Sequence, residues 1–384
     1  MHLYDFVSYC SMLTDTNRLD AYVGALKTCV GPDSIVLDLG AGTGVFSVIA
    51  CELGAQKVYA LEINPLIRLV DEVAREKGYG ERLEIVQKLS TQIDLDPKAD
   101  ILVSDIHGGF PLYETGLESI IDARERLLKE DAVIFPAEES VLFAVSQSEQ
   151  IYRKHVETYL EERHGFKLPS GERLVKNRPF NARSDDEVLL SEPAQFALID
   201  HRTNSRTSFR KELDFEINRP GIAHGLRGWF ESRLPGGFSV SNAITEKNST
   251  YSAPFFPFEH PVSVEPRDTV KATINAVYEE GNYIWSWQTK IVGAVKGLPK
   301  AEFGQSMMAS MVPDTRSALR RSEFYTPGLG IEGEIDKFVL SKIDGANMSG
   351  DIADELFERF PGRFASLDKA AERVYFLVER YAEE

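Results

Sequence analysis

Hydrophobic positions change their spacing twice along this chain. Between residues 11 and 30 they recur with helical period, placing Leu19, Tyr22, Val23 and Leu26 on one stripe behind Thr14 and Asp15, which suit a helix start. The stripe ends at Gly31-Pro32. Short apolar runs follow, Ile35 to Leu39, Val58 to Leu61, Leu83 to Val86 and Ile101 to Val103, alternating with helical stretches. Such uninterrupted runs predict strands buried on both faces, and their alternation with helices predicts an α/β doubly wound parallel sheet. After Phe135-Pro136 the runs alternate apolar with polar, as in Ser140 to Val145, Ala194 to Ile199, Phe238 to Ser241 and Thr269 to Ala276, which predicts a mostly antiparallel domain. A third unit is expected after it, with one helix lined by Ile352, Leu356 and Phe360. A second is lined by Leu367, Ala371, Val374, Val378 and Tyr381, with Ser366 placed to cap it. The expected division is residues 1–136, 137–296 and 297–384.

A length of 384 residues accommodates two or three such units, and the chain is 43% hydrophobic and 27% charged, as in globular proteins. No apolar run approaches the roughly 18 to 20 residues of a membrane helix. The opening MHLYDFVSYC lacks a basic region and a long apolar stretch, so a cytoplasmic location is expected. Cys10, Cys29 and Cys51 form no even framework and no CxxC pair, and the seven histidines do not cluster, so neither disulfides nor a metal site is expected. A formal charge of -17 argues against a nucleic-acid partner and favours cationic ones, although ordinary solubility accounts for it equally.

The chemistry concentrates at Ile35-Val36-Leu37-Asp38-Leu39-Gly40-Ala41-Gly42-Thr43-Gly44, a strand running into alternate glycines and then a helical segment. Glycine there allows a tight turn and close approach of a ligand to the backbone, with the free N–H groups of the next helix behind it. A dinucleotide site would want GxGxxG, but position 45 is Val, so the spacing favours a cofactor without a pyrophosphate. Glu62 closes the next strand about twenty residues on, where a carboxylate can accept from both ribose hydroxyls.

Further motifs resemble the protein arginine methyltransferases over most of residues 4 to 295. Met12-Leu13, Asp15, Arg18 and Tyr22 follow the family's first-helix arrangement, Ala123-Arg124-Glu125-Arg126-Leu127-Leu128 and Ile134-Phe135-Pro136 its passage into the second domain. The resemblance implies a Rossmann-like class I methyltransferase domain, a β-barrel-like domain after it, S-adenosylmethionine as cofactor and a homodimer whose arm would come from residues 165–190. It implies that Arg18 pairs with the cofactor's carboxylate, a contact suited to a forked guanidinium. Asp38, Gly40, Gly42, Gly44, Glu62, Ser90 and Thr91 would complete the cofactor site. Two carboxylates nine positions apart, Asp105 and Glu114, would grip the acceptor, with His107, Tyr113 and Tyr251 as further acceptor contacts.

Two departures stand out. The family has Glu where this chain has Asp105, a side chain about 1.3 to 1.5 Å shorter. Ser249-Thr250-Tyr251 stands in place of a Thr-His-Trp loop, so the histidine that would partner Asp15 is Thr250, whose hydroxyl cannot relay a proton as imidazole does. His107 and His224 are the candidate substitutes, although a structural or solvent-facing role suits each better. The implied activity is N-methylation of a guanidinium or amine on a protein, peptide or amino acid. A pocket retuned for a small natural-product nucleophile fits the two departures as well, and a third reading is a cofactor-binding scaffold without turnover. The last unit loosely resembles winged-helix peptide-binding modules of the PqqD type, with a stabilising or dimerising appendage as the simpler alternative. Its seven Lys and Arg against 13 Asp and Glu in residues 331–384 disfavour DNA.

Overall fold

The computed structural model describes residues 4–106, 108, 110–158, 161–162, 164–165, 171–246, 249–294, 299–311, 319–320 and 323–382. They divide into two compact units, Met1–Val312 and Pro313–Glu384.

The first unit opens with helices α1 (Phe6–Met12) and α2 (Thr16–Cys29). The single helix expected from residue 11 is therefore interrupted. Asp15 leaves helical geometry and its Oδ1 accepts the Arg18 N–H at 3.0 Å, which starts a new helix. There follow β1 (Ile35–Leu39), α3 (Val45–Glu52), β2 (Lys57–Leu61), α4 (Val70–Glu76), β3 (Leu83–Val86), β4 (Ala99–Ser104), α5 (Gly116–Arg126) and β5 (Leu128–Phe135). The strands form a five-stranded parallel sheet in the order β3-β2-β1-β4-β5. Every residue of β1 is buried because both faces are covered. Val36 packs with α2, α3 and α4, whereas Ile35, Leu37 and Leu39 pack with α5.

The chain continues through β6 (Glu138–Gln147), α6 (Glu149–Tyr152), α7 (Gly171–Lys176), β7 (Phe180–Asn181), β8 (Val188–Leu189), β9 (Ala194–Asp200), β10 (Phe209–Glu216), β11 (Gly221–Arg233), β12 (Ser239–Ser241), β13 (Pro254–Val264), β14 (Thr269–Glu279), β15 (Asn282–Val292) and β16 (Pro299–Ser306). Two antiparallel sheets result. One runs β10-β14-β15-β16; the other runs β7-β13-β11-β6-β8, with β12 on β11 and β9 on β6. Strand β16 extends this layer beyond residue 296, where the sequence reading begins its last unit. Between the sheets lies an aromatic core of Phe143, Phe196, Phe256, Trp285 and Trp287, with edge-to-face contacts such as Phe256 on Trp287 at 5.2 Å. Two segments tie this domain to the parallel sheet. Phe230, Leu234 and Val240 share a core with Tyr22 and Leu26 of α2, and Phe110, which follows β4, is buried among Phe143 and Trp285.

Inside the antiparallel domain Arg227 on β11 is fully buried. Its Nε and Nη2 donate to Glu187 at 2.8 and 2.7 Å, and Nη1 donates to the Ala253 carbonyl. The pair holds the segment entering β8 against β11, with Ser146 donating to the same carboxylate at 2.7 Å.

The second unit is helical throughout its regular structure among the described residues: α8 (Ile331–Leu340), α9 (Ser349–Arg359) and α10 (Leu367–Tyr381). Ser366 caps α10 as expected, accepting from Lys369 N. The expected α/β winged-helix-like character is corrected here. The run from Ile335 to Leu340 is helix α8, because Ile335 and Val339, four apart, face a common core with Ile352, Leu356, Val374 and Leu377. Among the described residues no strand is left in this unit to form a wing or receive a peptide.

The buried ion pair yields a stability prediction. Glu187→Ala leaves the Arg227 guanidinium enclosed without its counter-charge, at a cost of about 3 to 5 kcal/mol. Urea unfolding should show an earlier transition; an unchanged midpoint would mean that water or another group compensates the arginine.

Candidate active site

The strand order reverses between β1 and β4, so their carboxyl ends diverge into a crevice, the place where open α/β sheets bind ligands. Register makes the two edges adjacent: Leu39 pairs with Ser104 across β1 and β4, and with Leu61 across β1 and β2. The residues that leave these strands, Gly40, Asp105 and Glu62, therefore emerge together. Gly40 has φ of +74°, and a Cβ there would lie 2.0 Å from Ile106, so only glycine fits. Gly42 N donates to Glu62 Oε2 at 3.0 Å and Asn64 N to Oε1 at 2.8 Å, which fixes the carboxylate against the turn. Below it, Asp38 accepts from Ser47 Oγ at 2.6 Å. Burial pushes the Asp38 carboxyl up to about 7, against the opposing hydrogen bonds from Ser47.

Asp15 connects this turn to the second domain. While Oδ1 caps α2, Oδ2 accepts from Thr250 N at 2.8 Å and from Thr250 Oγ1 at 2.9 Å. Thr250 thus keeps a bond to Asp15 although it has no imidazole. Arg18, one turn into α2, donates from Nε to Asp105 Oδ2 at 2.6 Å and from Nη1 to the Met12 carbonyl at 3.1 Å. The hydroxyl of Tyr251 donates to Asp105 Oδ1 at 2.6 Å. Burial would lower the basicity of Arg18, but Asp105 and Tyr251 outweigh it and hold the guanidinium above its ordinary value. The same burial, reinforced by the Asp105 charge, raises the Tyr251 phenol well above its ordinary range.

The segment after β4 carries Glu114 at φ of +41°, the left-handed region that a glutamate rarely adopts. Backbone of this kind costs on the order of 1 to 3 kcal/mol and persists where the surroundings impose it. Phe110 and Leu112, buried in the antiparallel core, are those surroundings. Burial and the Glu114 carboxylate push the Tyr113 phenol up to about 12.

A cavity of about 500 Å³ collects these groups. Its lining includes Arg18, Asp38, Gly40, Gly42, Glu62, Ser90, Asp105, Tyr113, Glu114 and Tyr251. Two expected residues lie elsewhere. Gly44 is one layer back, starting α3 at φ of +76° with Val70 packed on it, and Thr91 is exposed beyond the cavity lining because Ser90 alone turns inward. His107 lies outside the described residues. His224 is buried in β11 beside Tyr152, away from the cavity lining. Tyr4 and Tyr9 line the cavity unannounced by the sequence reading. Tyr9 covers Gly42, and Asn64 Nδ2 donates to the Tyr4 carbonyl at 2.8 Å. Two aromatics ahead of the first helical stripe were the signal, but helical spacing alone does not say that α1 folds over the glycine turn. Among the described residues no His, Cys, Asp or Glu group is arranged to hold a metal ion, and no helix is long and apolar enough to cross a membrane.

Known methyltransferases are among the proteins this chain is similar to. Residues 20–134 match the family described as ribosomal protein L11 methyltransferase (PrmA). The chain is 27% identical over 257 residues to protein arginine N-methyltransferase 2 of Homo sapiens, covering 63% of this chain and 59% of that one. It is 27% identical over 267 residues to the arginine N(omega)-methyltransferase of Streptomyces achromogenes subsp. streptozoticus, covering 68% and 73%. The chain therefore spans less than two thirds of the human relative. Its fold matches the Trypanosoma brucei PRMT1 enzyme-prozyme heterotetrameric complex with AdoHcy at a TM-score of 0.71 and 20% identity, covering 78% of this chain and 97% of that one.

Asp38 supplies a pH signature. Its folded value of about 7 lies above the ordinary 3.8, so the proton is bound more tightly in the folded state. Its contribution to stability is fully present below about pH 4 and is lost as the pH rises to about 7. Asp38→Asn cannot ionise, so between these limits the variant should gain on wild type by on the order of 3 kcal/mol. Parallel stability curves from pH 4 to 7 would show that Asp38 ionises freely in the folded protein.

Proposed function

We propose that this chain is a cytoplasmic S-adenosylmethionine-dependent N-methyltransferase of the arginine methyltransferase type, acting on a guanidinium or amine of a protein, peptide or amino acid. One observation carries the reading: Asp105 and Glu114 line a single cavity with the Gly40–Gly42 turn and Glu62. The residues fit the cofactor. Glu62 is held by two backbone N–H groups with its oxygens at the glycine turn, ready for the ribose hydroxyls, and the turn tolerates no side chain that would fill the site. Arg18 lines the same cavity and offers a guanidinium for the carboxylate.

When bound, S-adenosylmethionine supplies an electrophilic methyl group, which the acceptor nitrogen takes as the sulfur–carbon bond breaks, leaving S-adenosylhomocysteine and one proton. The protein's part is placement and charge. Glu114 and the side of the cavity formed by Asp105 and its partners hold a planar guanidinium between them and orient one nitrogen. Because both oxygens of Asp105 already accept hydrogen bonds, from Arg18 and Tyr251, the departing proton falls to the Glu114 carboxylate. Half-buried Tyr9 and buried Phe46 line the cavity and keep water from the reacting centre.

The short Asp105 and the neutral Thr250 favour a second reading, in which the same machinery methylates a small natural-product nucleophile. We further propose a homodimer, with α7 and the stretch to residue 190 in the segment expected to form an arm, and an assembly or acceptor-recognition role for the last unit.

Incubation with methyl-labelled cofactor and free arginine, an arginine peptide or simple amines, followed by mass spectrometry, tests the activity. Label on an oxygen or carbon nucleophile alone would end the N-methyltransferase reading. Glu62→Ala should weaken AdoHcy binding by about 1.5 to 3 kcal/mol. Glu114→Gln should lower kcat by about 100-fold or more with AdoHcy affinity unchanged. Near wild-type turnover in Glu114→Gln would reduce the segment after β4 to a structural element.

A further inference from the structure

We propose that Tyr251 and Asp105 act as one composite hydrogen-bond acceptor, in which the phenol oxygen, rather than the aspartate itself, receives an N–H of the methyl acceptor. The inference rests on the N-methyltransferase reading and names the group that sets acceptor reach within it.

The starting point is a deficit of length. Asp105 is tethered at both oxygens, to Arg18 Nε and to the Tyr251 hydroxyl, each at 2.6 Å, and its side chain is only 9% exposed. A carboxylate so held and so short cannot swing out to an incoming guanidinium. A phenol that spends its proton on the carboxylate still has lone pairs with which to accept. Polarised by the carboxylate, that oxygen is a stronger acceptor than an isolated phenol. The 2.6 Å bond from Asp105 to Tyr251 more than spans the missing methylene, about 1.5 Å. Tyr251 lines the same cavity as Asp105 and Glu114.

The tyrosine is also held as such a part must be. Its neighbour Thr250 is fixed to Asp15 by backbone and hydroxyl, and its own carbonyl accepts from Arg183 Nη2 at 3.1 Å. Phe230 packs edge-on against the ring at 5.1 Å. The ring therefore has one position, and its hydroxyl is aimed at Asp105 from the antiparallel domain while Arg18 approaches from α2.

The test compares wild type, Tyr251→Phe, Asp105→Glu and the double variant Asp105→Glu/Tyr251→Phe. Each is assayed for methyl transfer from labelled S-adenosylmethionine to free L-arginine and to an arginine peptide, with AdoHcy affinity measured by calorimetry. Phenylalanine keeps the ring packing, so Tyr251→Phe should retain AdoHcy affinity within about twofold while kcat falls about 10- to 100-fold. Asp105→Glu should also lose activity, because the longer carboxylate meets the phenol. The double variant should regain about tenfold over Tyr251→Phe, since the glutamate then occupies the place of the hydroxyl. A double variant no better than the weaker single, or Tyr251→Phe within about threefold of wild type, would overturn the inference. Wild type that binds AdoHcy yet methylates neither acceptor would overturn the arginine reading instead. The pairing is then read from the ζ-carbon resonance of Tyr251 in carbon-labelled protein, assigned by its loss in Tyr251→Phe. Asp105→Asn should shift that resonance, and an unmoved one would overturn the composite acceptor.

Discussion

Pairing of Leu39 with Ser104 at the centre of the parallel sheet sets the level at which the glycine turn and Asp105 leave it. Parallel strands end on the same side, and where the order reverses their connections lead to opposite faces and leave a crevice between them. Because the two strands stop at the same level, the glycine turn and Asp105 start from neighbouring backbone. Leu61 pairs with Leu39 on the other side and brings Glu62 to the same level. A slip of one residue at β4 would turn Asp105 toward the opposite face and leave Arg18 and Tyr251 without their shared partner.

Around that point the charges form a short chain rather than separate pairs. Asp15 holds Thr250, Thr250 sets Tyr251, and Tyr251 meets Asp105, which is also bound to Arg18 on the helix that Asp15 starts. The loop is closed by hydrogen bonds at both ends of α2's first turn. Within it Asp15, Arg18 and Tyr251 are buried and the Asp105 side chain is only 9% exposed, so rotation of the shared Asp105 would leave buried polar atoms unpaired. Glu114, by contrast, is placed by hydrophobic packing through Phe110 and by an imposed left-handed backbone.

Much of this was legible in the sequence for reasons of physics. Buried parallel strands leave largely apolar runs, so β1 was readable to the residue; β3 has the expected bounds but is an edge strand with only Leu83 buried, and a strand running into alternate glycines has few uses besides a ligand-approach turn. The antiparallel domain announced its kind through alternation. Other features depended on contacts between distant segments, which periodicity does not encode. The break between α1 and α2 follows from Asp15 reaching Thr250, 235 positions away, as much as from its capping bond. Arg18 was expected to face a cofactor carboxylate, and its partner in the structure is Asp105, 87 positions on. The stretch from Ile335 to Leu340 suits a strand by composition, and only packing with Ile352 and Val374 makes it a helix. Thr91 was counted with Ser90, but neighbours in a short turn point different ways.

The burial of Phe110 among the aromatics of the antiparallel core bears on how such a protein can be rebuilt in evolution. Ligand-binding turns of the parallel sheet are often treated as portable modules to which any acceptor domain can be joined. Here the sheet sets where Asp105 starts but not where Glu114 stands, because the segment between them is anchored in the neighbouring domain. Residues 1–136 transplanted onto another partner would bring Asp105 without Tyr251 and Glu114 without the wedge that bends its backbone. Substitutions within the joined pair of domains can therefore preserve the placement of Asp105 and Glu114, which exchange of a whole domain removes.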